Sequence, residues 1–200
     1  MKYEAKAWKE TEGACLRNFN EQAQIDSVNG ALALRPQIEK IIDQIWEEGF
    51  DGIYFIGIGG TYASSMQVEV YMRGRSKLPV FVENAAEFLT TGNKKFTNKS
   101  VVIISSVSGN TKEMVELVDR VHEKGAKVFS FIDNPGTTLT QPDKQDYLIV
   151  YPMNEQLKFY MVANYLMYKN GEFDDYDRYN KEMEANLADD AASSFFGRKE

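Results

Sequence analysis

Ser100-Val-Val-Ile-Ile-Ser-Ser-Val-Ser-Gly-Asn-Thr111 decides how this chain folds. Residues 100–105 are short and mostly β-branched, with no polar alternation, as in a strand buried on both faces of a parallel sheet. Residues 105–111 then place four hydroxyls within seven positions, and residues 111–124 read as a helix. A buried strand that passes through a hydroxyl-rich bend into a helix is the unit of a doubly wound α/β fold.

The same rhythm extends in both directions. Upstream, Gly52-Ile-Tyr-Phe-Ile-Gly-Ile58 is a second continuous apolar run, followed by a Gly-Gly pair and a helix over 61–73. Downstream, strands are expected at 79–83, 127–132 and 147–151, and a helix at 156–168. Ile38, Ile41, Ile42 and Ile45 fall on one helical stripe within a segment running from 21 to 48. Pro36 breaks that segment near Arg35, and Gly49 stops it. The expectation is an α/β fold of three layers, a five-stranded parallel sheet flanked by helices, with extra helices at both ends. The divisions are an N-terminal arm over 1–20, one domain over 21–170, and a linker helix and acidic tail over 171–200 that leave the domain.

Composition sets limits. The chain has 200 residues, 43% hydrophobic and 12% aromatic, enough for a sizeable core. A net charge of -7 argues against nucleic acid, whose backbone asks for a basic face. It does not forbid one phosphate, which backbone N–H groups and hydroxyls can hold alone. One cysteine, Cys15, makes no internal disulfide, and one histidine without a Cys/His cluster makes no metal site. No long apolar run spans a bilayer, and the first residues lack a signal-peptide core. The expected location is therefore the cytoplasm.

In such sheets ligands bind beyond the carboxyl ends of the strands, so the loops after the first and third strands matter most. In Gly57-Ile-Gly-Gly-Thr-Tyr62, glycines such as Gly60 let a ligand approach the backbone, and Thr61 offers a hydroxyl. The plainer alternative is that Thr61 is only a helix cap. A dinucleotide fingerprint would want glycine near Tyr62 and does not find it, so no cofactor is expected. In the loop after the third strand, Ser106, Ser108 and Thr111 add side-chain donors to a helix N-terminus, which attracts anions. Gly109 is expected to clear space for the phosphate. No Walker-type lysine is present, and a helix-capping loop without a ligand is the competing reading.

Ser-Val-Ser-Gly-Asn-Thr at 106–111 resembles the Ser-x-Ser-Gly-x-Thr signature of sugar isomerase (SIS) domains. Ile-Gly-Gly-Thr-Tyr at 58–62, Glu87-Phe88, and Asp-Asn-Pro-Gly-Thr-Thr-Leu at 133–139 resemble further elements of that family, in its order and spacing. The resemblance covers about residues 35–170. It implies a flavodoxin-like fold that binds a sugar phosphate of the fructose 6-phosphate or fructosamine 6-phosphate class. Implied contacts are Gly60, Thr61, Ser106, Val107, Ser108, Thr111 and, by a looser match, Glu155. Val107 stands where the synthases of the family carry glutamine. The nearest members are the isomerase halves of glucosamine-6-phosphate synthases and the fructosamine-6-phosphate deglycases, whose acid and base come largely from a second SIS half or subunit.

No acid/base pair is identified in the chain itself. His122 lies eleven residues past Thr111, roughly 16 Å along a helix, too far for a hydrogen bond to the loop. Glu87 and Glu113 are further carboxylates near the loops. Phe159, Tyr160, Tyr165 and Tyr168 recur at near-helical spacing, which fits either a packed face or a dimer interface. The functional expectation is a phosphosugar isomerase or deglycase unit completed by a second SIS domain or a homodimer. The alternatives are a non-catalytic sugar-phosphate sensor, disfavoured by the non-basic first 50 residues, and a nucleotide-dependent oxidoreductase.

Overall fold

β1 (Gly52–Gly57) and β3 (Ser100–Ser106) are buried along their whole length. In the computed structural model, which describes residues 21–196, they pair in parallel at the middle of one sheet. Ile53 faces Val101 across the pair and Ile56 faces Ile104. β2 (Val80–Asn84) flanks β1, while β4 (Lys127–Ile132) and β5 (Tyr147–Val150) extend the sheet beyond β3. The order is β2-β1-β3-β4-β5 and every pairing is parallel. This is the flavodoxin-like winding, which reverses direction between β1 and β3. The expected five-stranded three-layer α/β fold is present.

Alternation of side chains gives the sheet two apolar faces. Ile53, Phe55, Val101, Ile103, Phe129 and Phe131 point to one face, under α1 (Glu21–Leu32), α2 (Arg35–Glu48), α3 (Gly60–Arg73) and α6 (Glu155–Lys169). Tyr54, Ile56, Val102, Ile104, Val128 and Ile132 point to the other, under α4 (Ala85–Thr91) and α5 (Lys112–Lys124). The four isoleucines of α2 are buried, and Pro36 sits in its first turn, where the missing N–H costs nothing. α5 buries Met114, Leu117, Val118 and Val121, and Gly125 ends it in the left-handed conformation.

Two elements depart from the expectation. The patterning predicts no helix at Glu87-Phe88, where the structure has α4. It is a two-turn helix started by Asn84, whose side chain accepts from the N–H groups of Ala86 and Glu87 at 3.0 and 3.4 Å. The acidic tail does not leave the domain. α7 (Tyr176–Phe196) folds back on α1 and α6. Its Tyr176, Met183, Leu187 and Ala188 join the core, a stripe that the surrounding charges mask in the sequence. Arg35 Nε donates to Glu184 at 3.0 Å, and the Tyr176 hydroxyl donates to Glu39 at 2.8 Å.

The aromatic series on α6 divides. Phe159 and Tyr165 are core residues, Tyr160 meets Tyr71 edge-on at 5.0 Å, and the half-exposed Tyr168 stacks on Tyr176 at 4.7 Å. Each of these rings therefore has a ring partner within the fold. No described helix is long and apolar enough to cross a membrane. The arm over 1–20, Cys15 included, and residues 197–200 lie outside the described residues.

Candidate functional site

β3 hands over to α5 through residues 107–111, and the handover is fixed by its own polar groups. Ser106 is buried, and its Oγ accepts from the Gly109 N–H at 3.0 Å. The hydroxyls of Ser108 and Thr111 lie 3.1 Å apart at the entrance to the helix. Thr111 is the N-cap residue of α5, yet its side chain makes no capping bond. The Met114 N–H donates to the Thr111 carbonyl at 3.0 Å, whereas the Lys112 and Glu113 N–H groups have no side-chain cap, which argues against helix capping as the use of the Thr111 hydroxyl.

Neighbouring segments brace the loop. Asn134 Nδ2 donates to the Val107 carbonyl at 2.6 Å, and the Asp133 N–H donates to the Ser106 carbonyl at 3.1 Å. Asn110 Oδ1 accepts from both the N–H and the hydroxyl of Thr138, at 2.9 and 2.8 Å. Gly109 has φ +63°, and a Cβ there would lie 2.0 Å from Thr137 Oγ1. The expectation that Gly109 clears space for a phosphate is corrected on this point. What presses on Gly109 is the side chain of the bracing loop.

The loop after β1 approaches from the other side of the switch point. Gly59 takes φ +59°, and α3 starts at Gly60 without a side-chain cap. Thr61 lies inside that helix. Its Oγ1 accepts from the Ile58 N–H and donates to the Ile58 carbonyl, each at 3.0 Å. The hydroxyl proton expected for a ligand is thus engaged in closing the turn. A Cβ on Gly60 would meet nothing within 4 Å, so this residue borders open space.

Between the two loops lies an open cavity of about 750 Å³, within the range of small-molecule sites. Of the residues singled out in the sequence, Gly60, Thr61, Ser106, Val107, Ser108, Thr111 and Glu155 all line it. Ile58, Ser64, Ser105, Met114 and Asn134 complete the wall. Ser64 follows Thr61 at helical i+3 spacing, and that spacing alone could have identified it. Ser105 is 1% exposed, and its Oγ has no hydrogen-bond partner. The first residues of α3, α5 and α6 all reach the cavity, so the positive ends of three helices meet there.

Glu155 is the one titratable side chain among the described residues lining the cavity. It stands in the first turn of α6, after Met153 and Asn154, both at positive φ. Glu87 is exposed on α4 and Glu113 sits in the first turn of α5, and neither lines the cavity. His122 lies in the last turn of α5, half-buried, with Nε2 3.1 Å from Asp146 Oδ2. That carboxylate also accepts from the Val128 N–H at 2.8 Å, so His122 belongs to the packing at the far end of the helix.

Comparison with known proteins agrees with this fold. The family model described as "SIS domain" matches residues 50–168. Glutamine–fructose-6-phosphate aminotransferase (isomerizing) of Fusobacterium nucleatum is 27% identical over 142 residues, covering 64% of this chain and 23% of that protein. Among solved structures, a Salmonella typhimurium LT2 protein described as a candidate phosphosugar isomerase superposes with a TM-score of 0.70 at 23% identity. The match covers 78% of this chain and 49% of that one. An E. coli CFT073 protein solved in complex with A5P has a TM-score of 0.62 at 16% identity, over 88% of this chain and 99% of that one. The chain thus spans under a quarter of the curated relative and about half of the Salmonella protein. Matched from just before β1 to the end of α6, the chain belongs to the SIS-domain family.

Proposed function

We propose that the cavity binds the phosphate of a phosphorylated sugar on the hydroxyl loop at 106–111, with the sugar extending toward Gly60, Ser64 and Glu155. The observation that carries this reading is the uncapped N-terminus of α5 beside Ser106, Ser108 and Thr111, open to the cavity. Helix N–H groups attract an anion, and hydroxyls complete its shell without a formal positive charge. The substrate class is that of fructose 6-phosphate or a fructosamine 6-phosphate.

The reaction class is phosphosugar isomerisation or deglycation, and this chain supplies the binding half of it. Either reaction moves a proton between adjacent sugar carbons and needs an acid/base pair. Glu155 offers one carboxylate, and the remaining group comes from a second SIS domain or from a second copy of this chain. Met66 and Val70, exposed on α3 around a second pocket that Tyr71 and Tyr160 also line, are apolar surface that such a partner would cover. The setting is a reducing cytoplasm.

The test is ligand-linked stability. Fructose 6-phosphate at about 100 Kd should raise unfolding stability by about 2.7 kcal/mol, and NAD should leave it unchanged. Equal indifference to fructose 6-phosphate, glucose 6-phosphate and inorganic phosphate would reject the assignment.

A further inference from the structure

Lys158 is fully buried on α6, one turn beyond Glu155. A lysine is seldom placed so deeply without a specific partner. Its Nζ donates to the Tyr151 carbonyl at 2.8 Å and lies 3.4 Å from Asp133 Oδ1. The other carboxylate oxygen of Asp133 accepts from the Met153 N–H at 3.0 Å. One buried ion pair therefore holds both ends of the turn at 151–153. That turn needs holding, because Met153 (φ 62°) and Asn154 (φ 51°) are both left-handed without being glycine.

Two further contacts fasten the same turn to α1. Asn154 Nδ2 donates to Ser27 Oγ at 2.6 Å, and the Tyr151 hydroxyl donates to the Ser27 carbonyl at 2.9 Å. Gly30 makes room for that hydroxyl, since a Cβ there would lie 2.0 Å from it. On its opposite side, Asp133 is joined through its own N–H to the Ser106 carbonyl, at the start of the hydroxyl loop.

We propose that Lys158 is a positioning residue, which acts through Asp133 and the left-handed turn at Met153–Asn154 to set Glu155 at a fixed distance from the hydroxyl loop. The Asp133–Lys158 pair is then the brace between the two walls of the cavity. Lys158 itself touches no ligand. Burial pulls its ammonium below the ordinary lysine range while Asp133 opposes that shift, as expected for a charge retained for geometry. The inference rests on the phosphosugar reading of the cavity.

The test compares two probes on the full chain. Inorganic phosphate reports the hydroxyl loop alone, whereas fructose 6-phosphate also depends on the opposite wall. In Lys158→Met, fructose 6-phosphate should bind about tenfold or more weakly while inorganic phosphate changes less than about threefold. Adding Glu155→Gln should then cost little more, because the two residues act through one contact. Amide exchange at Met153 should quicken while β4 stays protected.

If Lys158→Met leaves Asp133 uncompensated and unfolds the chain, the double variant Asp133→Leu/Lys158→Met removes both charges and carries the same expectations. Equal weakening of both probes would show a general loss of structure or of positive charge, and overturns the inference. So do unchanged fructose 6-phosphate binding or additive losses with Glu155→Gln. Wild-type protein that binds neither probe overturns the phosphosugar reading and this inference with it. Normal wild-type binding with an indifferent variant overturns the inference alone.

Discussion

Ser108 and Thr111 share a hydrogen bond with each other and leave the helix behind them uncapped. Ser108→Ala and Thr111→Val should each weaken phosphosugar binding by about 10- to 100-fold, the worth of one bond to a charged group at ~1.5–3 kcal/mol. Unfolding stability should stay within ~0.5 kcal/mol, since neither residue supports the core. Calorimetric titration beside a melting curve checks both numbers. Thr61→Val is expected to behave differently, because its hydroxyl closes the turn between β1 and α3. It should lower stability by ~1 kcal/mol as well as affinity. The sequence made the hydroxyl cluster legible because four hydroxyls within residues 105–111 are more than a helix cap requires. It did not reveal that Thr61 bonds inward, since a threonine at a helix start reads alike in both roles. Asn134 sits between two bends, and only the folded bracing loop shows it holding Val107.

At the scale of elements, strong periodicity was easy to read and short or charge-masked elements were not. β4 and the amphipathic α2 follow directly from apolar patterning, as does the break at Pro36. α4 has only two turns, too few for a period to register, and its start depends on one asparagine cap. Gly109 shows how a loop element can be over-read, since its freedom serves a contact with Thr137. Gly109→Ala should cost ~1–3 kcal/mol through its left-handed φ, and more from the overlap with Thr137. Because Thr137 Oγ1 also donates to the Asn134 carbonyl at 3.1 Å, the variant should weaken fructose 6-phosphate binding too. Denaturant unfolding and a binding titration on the same preparation separate the two effects.

The whole molecule is closed by its last described helix. Removing residues 171–200 would expose the α1 and α6 surfaces that Tyr176 and Ala188 cover. The truncated chain should lose cooperativity or aggregate on heating, whereas a mere linker could be removed without effect. Tyr176→Phe is the milder version and should cost ~1–2 kcal/mol through its bond to Glu39.

Alkaline stability follows from the same burial. Burial raises Tyr54 to about 12, aided by Glu83 and Asp51. Tyr165 and Tyr176 are raised further by burial and by their bonds to Asp43 and Glu39. A raised pKa means that the folded state holds its protons longer. The stabilisation is complete below the unfolded tyrosine value near 10 and disappears as pH climbs through the folded values. Lys158, shifted downward by burial, works in the opposite sense, but burial raises Tyr71, Tyr147 and Tyr151 as well. Stability should therefore fall above about pH 10. The phenolate absorbance of these rings should rise only together with unfolding.

Three helix beginnings facing one open cavity also bear on how the protein must be handled. If the cavity binds phosphate as proposed, any small oxyanion in the medium is a competitor, so protein purified in phosphate or sulfate would arrive partly occupied. Melting temperatures recorded in such buffers would be inflated and sugar-phosphate affinities understated. An anion-poor zwitterionic buffer is the condition in which the empty cavity can be measured.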